Sequence, residues 1–387
     1  MRGEQALRPL EESVLNIGWD MVDIPPNKDG TFEFISRWLH AVATYPLGHH
    51  HMCYANAAFR RALSHPALDA IEWHIAGDWT GGYQLRREQF YLQHRRRIHK
   101  QIDILISVYR PPLVWNGKSI TIVLDCTKEL FPTVRGVKNH LLASLRDYGA
   151  RRAGRWLAIS EWTRRDAARL RGYDPERIRS AGIPLAELAD ESGAGRNSSV
   201  SVPFGITGKF AFYCSAISAH KNHLRLIRAW KKAFPNREVQ LVLAGRLLPN
   251  IPSEIINAIR QAEAEGVVRA LGLVSDEDRE RLYAGADFVV YPSLCEGFGM
   301  PVLEAMRYGK PVLTSSGTAT EEVGGDAVLL CDPRNEDDMV AKLGQIAIDK
   351  ALRKRLQVAI PGRLARYSQE NVARELHAAI DYLTGLH

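Results

Sequence analysis

The sequence predicts an α/β fold in two domains, each built around a parallel sheet. Strand-like and helix-like segments alternate almost throughout, which is the pattern of parallel α/β layers. The chain has 387 residues, more than a single hydrophobic core usually organises. Residues 189–203 are mostly small and polar, and the alternation restarts after them. We therefore expect an interdomain linker at 189–203.

The predicted elements of the first half are short apolar strands separated by helices. Strands of this kind are usually buried on both faces of a sheet. One helix ends at Gly172, a residue that suits a helix C-terminus. The predicted strands are 13–22, 102–109, 119–126 and 156–160, and the predicted helices are 32–45, 137–152 and 161–172.

The second half repeats the same rhythm and ends in an amphipathic helix at 369–383. Both halves are Rossmann-like in pattern, and a ligand of such a protein is expected at the carboxyl ends of the strands. The predicted strands are 210–217, 239–245, 268–274 and 287–293, and the predicted helices are 223–234, 253–266 and 276–286.

Composition excludes several protein classes. Hydrophobic residues make up 45% and charged residues 25% of the chain, as in soluble globular proteins. No apolar stretch is long enough to span a bilayer, and residues 1–13 lack the apolar core of a signal peptide. The chain has five cysteines, Cys53, Cys126, Cys214, Cys295 and Cys331. None of them has CxxC spacing, so neither a disulfide framework nor a zinc site is indicated. We expect a cytoplasmic protein.

The net charge of +7 is unevenly distributed, because six basic residues fall in one predicted helix. A solvated helix face is one interpretation. The other is attraction to anionic lipid headgroups, at the inner face of a membrane, or to a phosphorylated acceptor. No nucleic-acid-binding motif accompanies the charge. The residues are Arg86, Arg87, Arg95, Arg96, Arg97 and Lys100.

The most informative segment is PSLCEGFGMPVLEAMRYGKPV at 292–312. A strand is expected to end just before it, and Pro301 suits the first position of a helix. The loop between them would lie at a helix N-terminus, where free N–H groups and the dipole attract anions. Gly297 and Gly299 would let the backbone approach a ligand.

Two glutamates flank this loop, and the sequence leaves two interpretations of them open. Glu296 is expected in the loop and Glu304 in the first helical turn, so both are expected to face one cleft. Taken singly, Glu304 complements the helix dipole and Glu296 is a solvated loop acid.

The whole segment resembles the signature of the retaining GT-B glycosyltransferases of family 4, whose E-x7-E motif lies in a PSxxEGFGxPxLEAMxxGxPV pattern. The resemblance extends through YCSAISAHKNHLRLIRAW (213–230), LGLVSDEDRERLYAGADFVVYPS (271–293) and TSSGTATEEVGGDAVLLCDP (314–333), and covers 205–365. It implies an N-terminal acceptor domain at 1–188, the linker, a nucleotide-sugar domain at 204–366, and a helix at 367–387 that crosses back to the first domain.

The resemblance also implies roles for individual residues. Lys221 matches the lysine that neutralises the leaving diphosphate, Glu304 the glutamate that binds the ribose hydroxyls, and Glu296 the glutamate beside the donor sugar. Main chain near Gly272 and Val274 matches the part that contacts the base. The loop positions that match the backbone contacts to sugar and phosphate are Gly297, Phe298, Gly299, Met300 and Pro301. No divalent metal and no cofactor are implied.

The chain departs from the family at several positions. Ala216 replaces a basic or hydroxyl residue, and His220 replaces an arginine, so the diphosphate charge rests on Lys221 alone or with His220 or Arg246. Leu124 stands where many members have a histidine, followed by Asp125, which is either an active-site acid or a loop cap.

Three further features of the N-terminal half and the C-terminus remain open. Gly30 and Thr31 are either the diphosphate-contacting loop or a plain turn. The histidines at 49–51 are expected in a polar loop rather than at a metal. Gln369 replaces a common tryptophan at the start of the last helix.

The expected function is transfer of a hexose from a nucleotide-diphosphate sugar to a saccharide or lipid-linked saccharide, in cell-surface polysaccharide synthesis. GDP-mannose is the first expectation for the donor and a UDP-linked hexose the second. Two other classes stay open: a nucleotide-sugar-binding subunit without catalysis, and a sugar-nucleotide epimerase on the same fold. The epimerases lack the EGFGMPVLEAM segment.

Overall fold

The structure is a computed structural model, and it describes residues 14–26, 30–63, 65–79, 81–131, 144, 147–185, 202–248 and 251–386. Two parallel sheets organise this part of the chain, one in each half. Most of the predicted linker and most of the predicted helix at 137–152 lie outside the described residues. Within the described part, no helix is both long and apolar enough to cross a bilayer.

The first sheet has seven strands in the order β3-β2-β1-β4-β5-β6-β7, and every pairing is parallel. Its central strands are buried apolar runs with helices on both faces, as the sequence pattern predicts. The strands are β1 (Asn16–Met21), β2 (His50–Asn56), β3 (Glu72–Gly77), β4 (Ile104–Val108), β5 (Ser119–Val123), β6 (Trp156–Ala158) and β7 (Ile178–Ser180).

The helices of the first half begin at recognisable caps. Asn56 accepts the Phe59 N–H and Ser160 accepts the Thr163 N–H, which satisfies N–H groups at helix starts. The helices are α1 (Gly30–Thr44), α2 (Ala57–Ala62), α3 (Tyr83–Gln101), α4 (Thr127–Leu130) and α5 (Glu161–Arg171).

The prediction of a polar loop at 49–51 is wrong. His50 and His51 begin β2, and His51 is buried with its ring against Trp19 and His377. His49 pairs with Asp381 at 3.0 Å, whereas His50 is exposed. Three consecutive histidines looked polar, but strand pairing of β1 with β2 carries them into an interface with the last helix.

The second sheet has six parallel strands in the order β10-β9-β8-β11-β12-β13. The direction of strand addition reverses between β8 and β11, which is the switch point where open α/β sheets bind ligands. The strands are β8 (Phe210–Cys214), β9 (Gln240–Ala244), β10 (Val268–Ala270), β11 (Phe288–Tyr291), β12 (Val312–Ser315) and β13 (Val328–Cys331).

Helices cover this sheet, and the last one returns to the first half. That helix packs on α1 and β7, and its buried residues include Leu376 and Ile380. The helices are α6 (His223–Ala233), α7 (Ser253–Ala264), α8 (Asp276–Gly285), α9 (Met300–Arg307), α10 (Ala319–Gly324), α11 (Glu336–Ile348), α12 (Lys350–Arg366) and α13 (Gln369–Thr384).

Candidate active site

The loop after β11 turns sharply into α9 at Gly299. Gly299 has φ of 110°, in the left-handed region that favours glycine. The helix begins at Met300, so Pro301 occupies its second position rather than its first. Glu304 accordingly lies in the second turn and not in the first turn, as the sequence predicted. It therefore serves a contact on the side of the helix rather than the helix dipole.

The space beside the Gly297 Cα is filled by residues 124 and 125 of the first half. A Cβ placed on Gly297 would lie 1.8 Å from the carbonyl oxygen of Leu124. Ser160 and Thr163 donate hydrogen bonds to the Gly297 carbonyl oxygen at 2.6 and 2.8 Å. Phe298 is buried and packs edge-to-face on Tyr367. The contacts of Gly297 thus attach the loop to the first half of the chain, and Phe298 packs within the second half.

Lys221 and Glu296 form a close ion pair at the carboxyl edge of the second sheet. Their Nζ and Oε1 atoms are 2.6 Å apart, and Nζ also donates to the Tyr291 hydroxyl at 2.7 Å. Lys221 ends a short 3₁₀ turn, and Asn222, with φ of 62°, then starts α6. Tyr213 donates to the Lys221 carbonyl at 2.5 Å. The fold therefore holds the lysine at both its backbone and its ammonium group.

Electrostatics keep this lysine charged. Burial by itself disfavours the ammonium, yet the Glu296 carboxylate beside it raises the pKa of Lys221 above its ordinary value. His220 behaves differently, because burial and the neighbouring Lys221 lower its pKa. Among the three candidate cations Lys221, His220 and Arg246, His220 is thus disfavoured as a charge at neutral pH.

Glu304 has a separate set of partners. Its Oε1 lies 3.3 Å from Nη2 of Arg37, which comes from α1 in the first half. Its Oε2 accepts from the Tyr283 hydroxyl at 3.3 Å. The two glutamates of the motif thus lie in different local environments, Glu296 with a lysine of its own domain and Glu304 with an arginine from across the cleft.

Asp125 follows β5 and faces the loop of the second half. Its Oδ1 accepts the Thr127 N–H at 2.8 Å, so it does cap the turn that starts α4. The position of a Cβ on Gly297 is 3.0 Å from the Asp125 Cβ. Burial lowers the pKa of Lys221, and the Asp125 carboxylate helps to raise it, after the larger effects of Glu296 and Tyr213. The structure therefore places Asp125 at the cleft.

Gly30 and Thr31 start α1 opposite the start of α9. A Cβ on Gly30 would lie 4.0 Å from Cε of Met300. Thr31 Oγ1 lies 3.3 Å from the Tyr109 hydroxyl. The N-termini of two helices from different domains therefore face the same space, and both favour negative charge there.

The remaining predicted contacts lie at the carboxyl ends of β9 and β10. The Gly245 N–H donates to the Gly272 carbonyl at 2.7 Å. Gly272 has φ of 66° and is exposed, whereas Val274 is half-buried against the core. Arg246 is exposed beside them. These residues form one end of the edge on which Lys221 and Glu296 lie.

The predicted basic helix loses one of its six members. Arg87 is buried and ion-paired with Asp20, so its inclusion in a surface patch is wrong. Arg95 is half-buried and donates to the Val114 carbonyl at 3.3 Å. Four residues remain exposed: Arg86, Arg96, Arg97 and Lys100. Burial of Arg87 cannot be deduced from a charge run, because its partner Asp20 lies on β1, far away in the sequence.

Sequence reasoning missed several side chains that bring the halves together. Glu322 accepts the Glu161 and Trp162 N–H groups at 2.9 and 2.7 Å, at the start of α5. Arg37, which reaches Glu304 from the first half, was also missed, although a lone arginine in an apolar helix was a visible signal. Tyr291, which contacts Lys221 within the second half, was missed too, although a tyrosine at a strand end was a visible signal. Among the described residues, no cluster of three or more histidine, cysteine or acidic side chains is arranged to hold a metal ion.

Comparison with known proteins gives a family match and a fold. Residues 199–361 match the model of the family described as glycosyl transferases group 1. The structure of Anabaena HepE in complex with UDP and glucose superimposes with a TM-score of 0.67 at 16% identity, over 95% of this chain and 99% of HepE. The fold is GT-B.

Two curated relatives resemble the chain in sequence. O-antigen chain mannosyltransferase B of Escherichia coli is 30% identical over 219 residues, covering 56% of this chain and 57% of the relative. The MMP alpha-(1->4)-mannosyltransferase of Mycolicibacterium hassiacum is 28% identical over 207 residues, covering 50% and 49%. The chain thus spans about half the length of the curated relatives that it matches.

The GT-B fold explains why the site residues come from both halves. Carboxyl ends of parallel strands and the following helix N-termini face the cleft from each domain. Lys221 and Glu296 follow strands of the C-terminal sheet and Glu304 lies on α9, while Asp125 follows β5 and Arg37 lies on α1 of the N-terminal half. The structure brings these together, with Gly272 and Val274 at the far end of the same edge.

Proposed function

We propose that the chain is a glycosyltransferase that moves a hexose from a nucleoside-diphosphate sugar to a saccharide or lipid-linked saccharide with retention of anomeric configuration. The observation that carries the proposal is the Lys221 ammonium held at 2.6 Å from Glu296 at the switch point of the second sheet. The match of 199–361 to the glycosyl transferases group 1 supports the same activity.

The chemistry follows from the charges around the cleft. As the bond between the anomeric carbon and the diphosphate oxygen breaks, negative charge grows on the diphosphate. A lysine ammonium and two helix N-termini stabilise charge that develops at this point, which lowers the barrier. The acceptor hydroxyl attacks from the same face, and its proton passes to a departing phosphate oxygen. No protein nucleophile and no divalent metal take part in this scheme.

Glu296 and Glu304 have distinct parts in the proposal. Glu296 holds a hydroxyl of the donor sugar and offsets positive charge at the anomeric carbon, while it also keeps Lys221 in place. Glu304 accepts the ribose hydroxyls. Backbone from Gly297 to Pro301 borders the diphosphate, and main chain near Gly272 and Val274 contacts the base. Asp125 borders the transferred sugar from the other domain.

The donor proposal rests on the relatives. Both curated relatives named above are mannosyltransferases, so GDP-mannose is the first donor that we propose. A UDP-linked hexose is second, because HepE was solved with UDP and glucose. The acceptor and a place in cell-surface polysaccharide synthesis are proposed from the O-antigen relative.

We further propose that the outer face of α3 touches an anionic membrane at its inner surface, where a lipid-linked acceptor would be met. Leu85 and Leu92 are 67% and 58% exposed on this helix. Four exposed basic residues lie on the same helix: Arg86, Arg96, Arg97 and Lys100. Within the described part of the chain, none of these four side chains forms an ion pair. Exposed leucines combined with unpaired cations suit a helix at a bilayer surface.

The test of the transferase activity is donor hydrolysis without acceptor. Purified chain is first screened for binding of GDP-, UDP-, ADP- and dTDP-sugars by thermal shift, since a bound ligand raises the apparent stability. Release of nucleoside diphosphate from the stabilising donor is then measured. Lys221→Ala is expected to lower this rate by roughly 10²- to 10³-fold, as for loss of one charge-stabilising donor.

Lys231→Ala is the matched control, because Lys231 also pairs with a glutamate, at 2.6 Å, but on the outer surface of the same domain. It is expected to keep the wild-type rate. Binding of a donor without turnover over a panel of saccharide acceptors would instead favour a nucleotide-sugar-binding subunit. No binding of any nucleotide sugar would overturn the proposal.

A further inference from the structure

Arg37 crosses the cleft to reach the second domain. It lies on α1, and its Nη2 is 3.3 Å from Oε1 of Glu304 on α9. Glu33, one turn earlier on α1, has the i, i+4 spacing of a helical ion pair, yet the ion pair that Arg37 makes is with Glu304. The guanidinium is therefore aimed away from its own helix and into the cleft.

The environment leaves this guanidinium incompletely satisfied. Arg37 is only 9% exposed, and its Nε and Nη1 atoms are buried without a hydrogen-bond partner among the described residues. A buried charged donor without an acceptor is costly, and such groups are normally paired. The single contact at 3.3 Å is also longer than a strong charge-assisted bond. The Nε and Nη1 groups of Arg37 therefore remain available as hydrogen-bond donors to a ligand next to Glu304.

We propose that Arg37 is a positioning residue for the nucleotide of the donor, contributed by the N-terminal domain. It orients the Glu304 carboxylate toward the ribose hydroxyls and supplies its free N–H groups to oxygen atoms of the ribose or diphosphate. This inference rests on the proposed function, because it assumes a ribonucleoside diphosphate beside Glu304.

The arrangement has a consequence for selectivity. A carboxylate fixed by Arg37 and Tyr283 accepts a ribose hydroxyl well, and a deoxyribose leaves it without that donor. Without Arg37, the Glu304 side chain gains rotational freedom and loses its ion pair. Discrimination between ribose and 2′-deoxyribose should then decline together with affinity, and simple structural damage would not produce this change in ratio.

The experiment measures binding of GDP, UDP and their 2′-deoxy forms by calorimetry. Arg37→Gln is expected to weaken binding of the preferred ribonucleotide by roughly 10- to 100-fold, as for lost hydrogen bonds to a charged group. It is also expected to bring the ribo-to-deoxyribo affinity ratio close to one. Arg37→Lys keeps the charge but not the planar fork, so an intermediate ratio is expected.

Arg60→Gln is the control, because Arg60 is ion-paired with Asp69 in the same domain and stacks on Trp73. It should leave both affinity and ratio unchanged. A double-mutant cycle of Arg37→Gln with Glu304→Gln should be non-additive, since the two side chains touch.

The outcomes separate the two proposals. If the wild-type chain binds neither these nucleotides nor any nucleotide sugar of the thermal-shift screen, the proposed function fails. If the wild-type chain binds a ribonucleotide and Arg37→Gln keeps the same affinity and ratio, this inference alone is wrong. If Arg37→Gln does not fold, the Arg37→Lys variant decides. The inference is overturned if Arg37→Lys binds with the affinity and the ribo-to-deoxyribo ratio of the wild type.

Discussion

At the residue scale, Gly297 shows how one missing side chain joins two domains. Its Cα faces the Leu124 carbonyl so closely that a Cβ would sit 1.8 Å from the oxygen. Its own carbonyl accepts hydrogen bonds from Ser160 and Thr163. The residue thus fastens the loop that carries Glu296 to the N-terminal domain, and the position of Glu296 depends on that contact.

Gly297→Ala is expected to push the two domains apart locally. Overpacking of this kind costs about 1–3 kcal/mol of unfolding free energy, and the backbone oxygen of Leu124 cannot rotate away. Urea denaturation measures the loss, and the donor hydrolysis assay measures the accompanying fall in turnover.

Gly344→Ala in α11 is the control for this substitution, because a Cβ there meets nothing within 4 Å. In a helix interior the alanine should be neutral or stabilise by roughly 0.5–1 kcal/mol. Equal stability of the two variants would contradict the role assigned to Gly297.

The sequence predicted a glycine at 297 for the approach of a ligand, and the structure adds a second reason, the packing of Leu124 against it. The motif suggested space for a ligand, and the structure fills part of that space with Leu124. No local pattern links residues so far apart in the chain, because their contact exists only once both sheets have formed. Phe298 was likewise expected to serve through its backbone, yet its ring packs on Tyr367.

At the element scale, α3 separates its charges onto two faces. Arg87 points inward to Asp20, while the other face exposes leucines and cations. A run of basic residues in sequence does not distinguish these faces. Helical periodicity and burial do, since only residues on the outer face can meet a membrane.

The outer face of α3 predicts binding to anionic vesicles. Replacing Arg96, Arg97 and Lys100 by glutamine should weaken binding to phosphatidylserine-containing vesicles by roughly 100-fold, at about 1 kcal/mol per charge near the surface. Vesicle flotation measures this, and added salt should reduce wild-type binding.

The control replaces three exposed basic residues of α12 by glutamine: Lys354, Arg355 and Arg366. This variant has the same change in net charge as the α3 variant. It should bind vesicles as the wild type does. If both triple variants lose binding equally, the attraction is a property of net charge and not of α3.

At the scale of the whole molecule, hydrogen bonds through His51 and His377 connect the first sheet to α13. Trp19 donates to His51 Nδ1 at 3.1 Å, and His51 Nε2 lies 3.1 Å from His377 Nε2. Burial, together with the neighbouring His377, His49 and His50, lowers the pKa of His51 to about 3. His377 itself has a lowered pKa because it is buried. The interface is therefore built for neutral imidazoles.

Stability should consequently fall on acidification. The folded-state pKa of His51 is below the ordinary value near 6.5, so between the two values the unfolded chain binds a proton that the folded chain does not. The free energy of unfolding is then lost as the pH falls from about 6.5 toward 3, by up to about 1.4 kcal/mol per pH unit for one such histidine. Burial lowers the pKa of His223 to about 3 as well, and His223 adds to the same slope.

His51→Gln should flatten this dependence between about pH 6.5 and pH 5, since glutamine keeps a hydrogen-bonding side chain and does not titrate. Urea denaturation at several pH values measures the slope. His94→Gln is the control, because His94 is exposed on α3, outside the contact of His51 with α13, and its slope should equal that of the wild type. An unchanged slope in His51→Gln would show that His51 is not the group that titrates.

The amino-acid sequence by itself determined the two α/β domains and the segment from Pro292 to Val312, because periodicity and glycine-proline chemistry are local properties. It also indicated Glu296 and Glu304 through a dense, contiguous motif, and Lys221 through the separate matching segment at 213–230. Only the tertiary structure decided how the domains meet: Arg37 against Glu304, Leu124 against Gly297, and His51 against His377. Each of these pairs joins residues more than a hundred positions apart, so the contact depends on packing of the finished sheets and leaves no periodic trace in the chain.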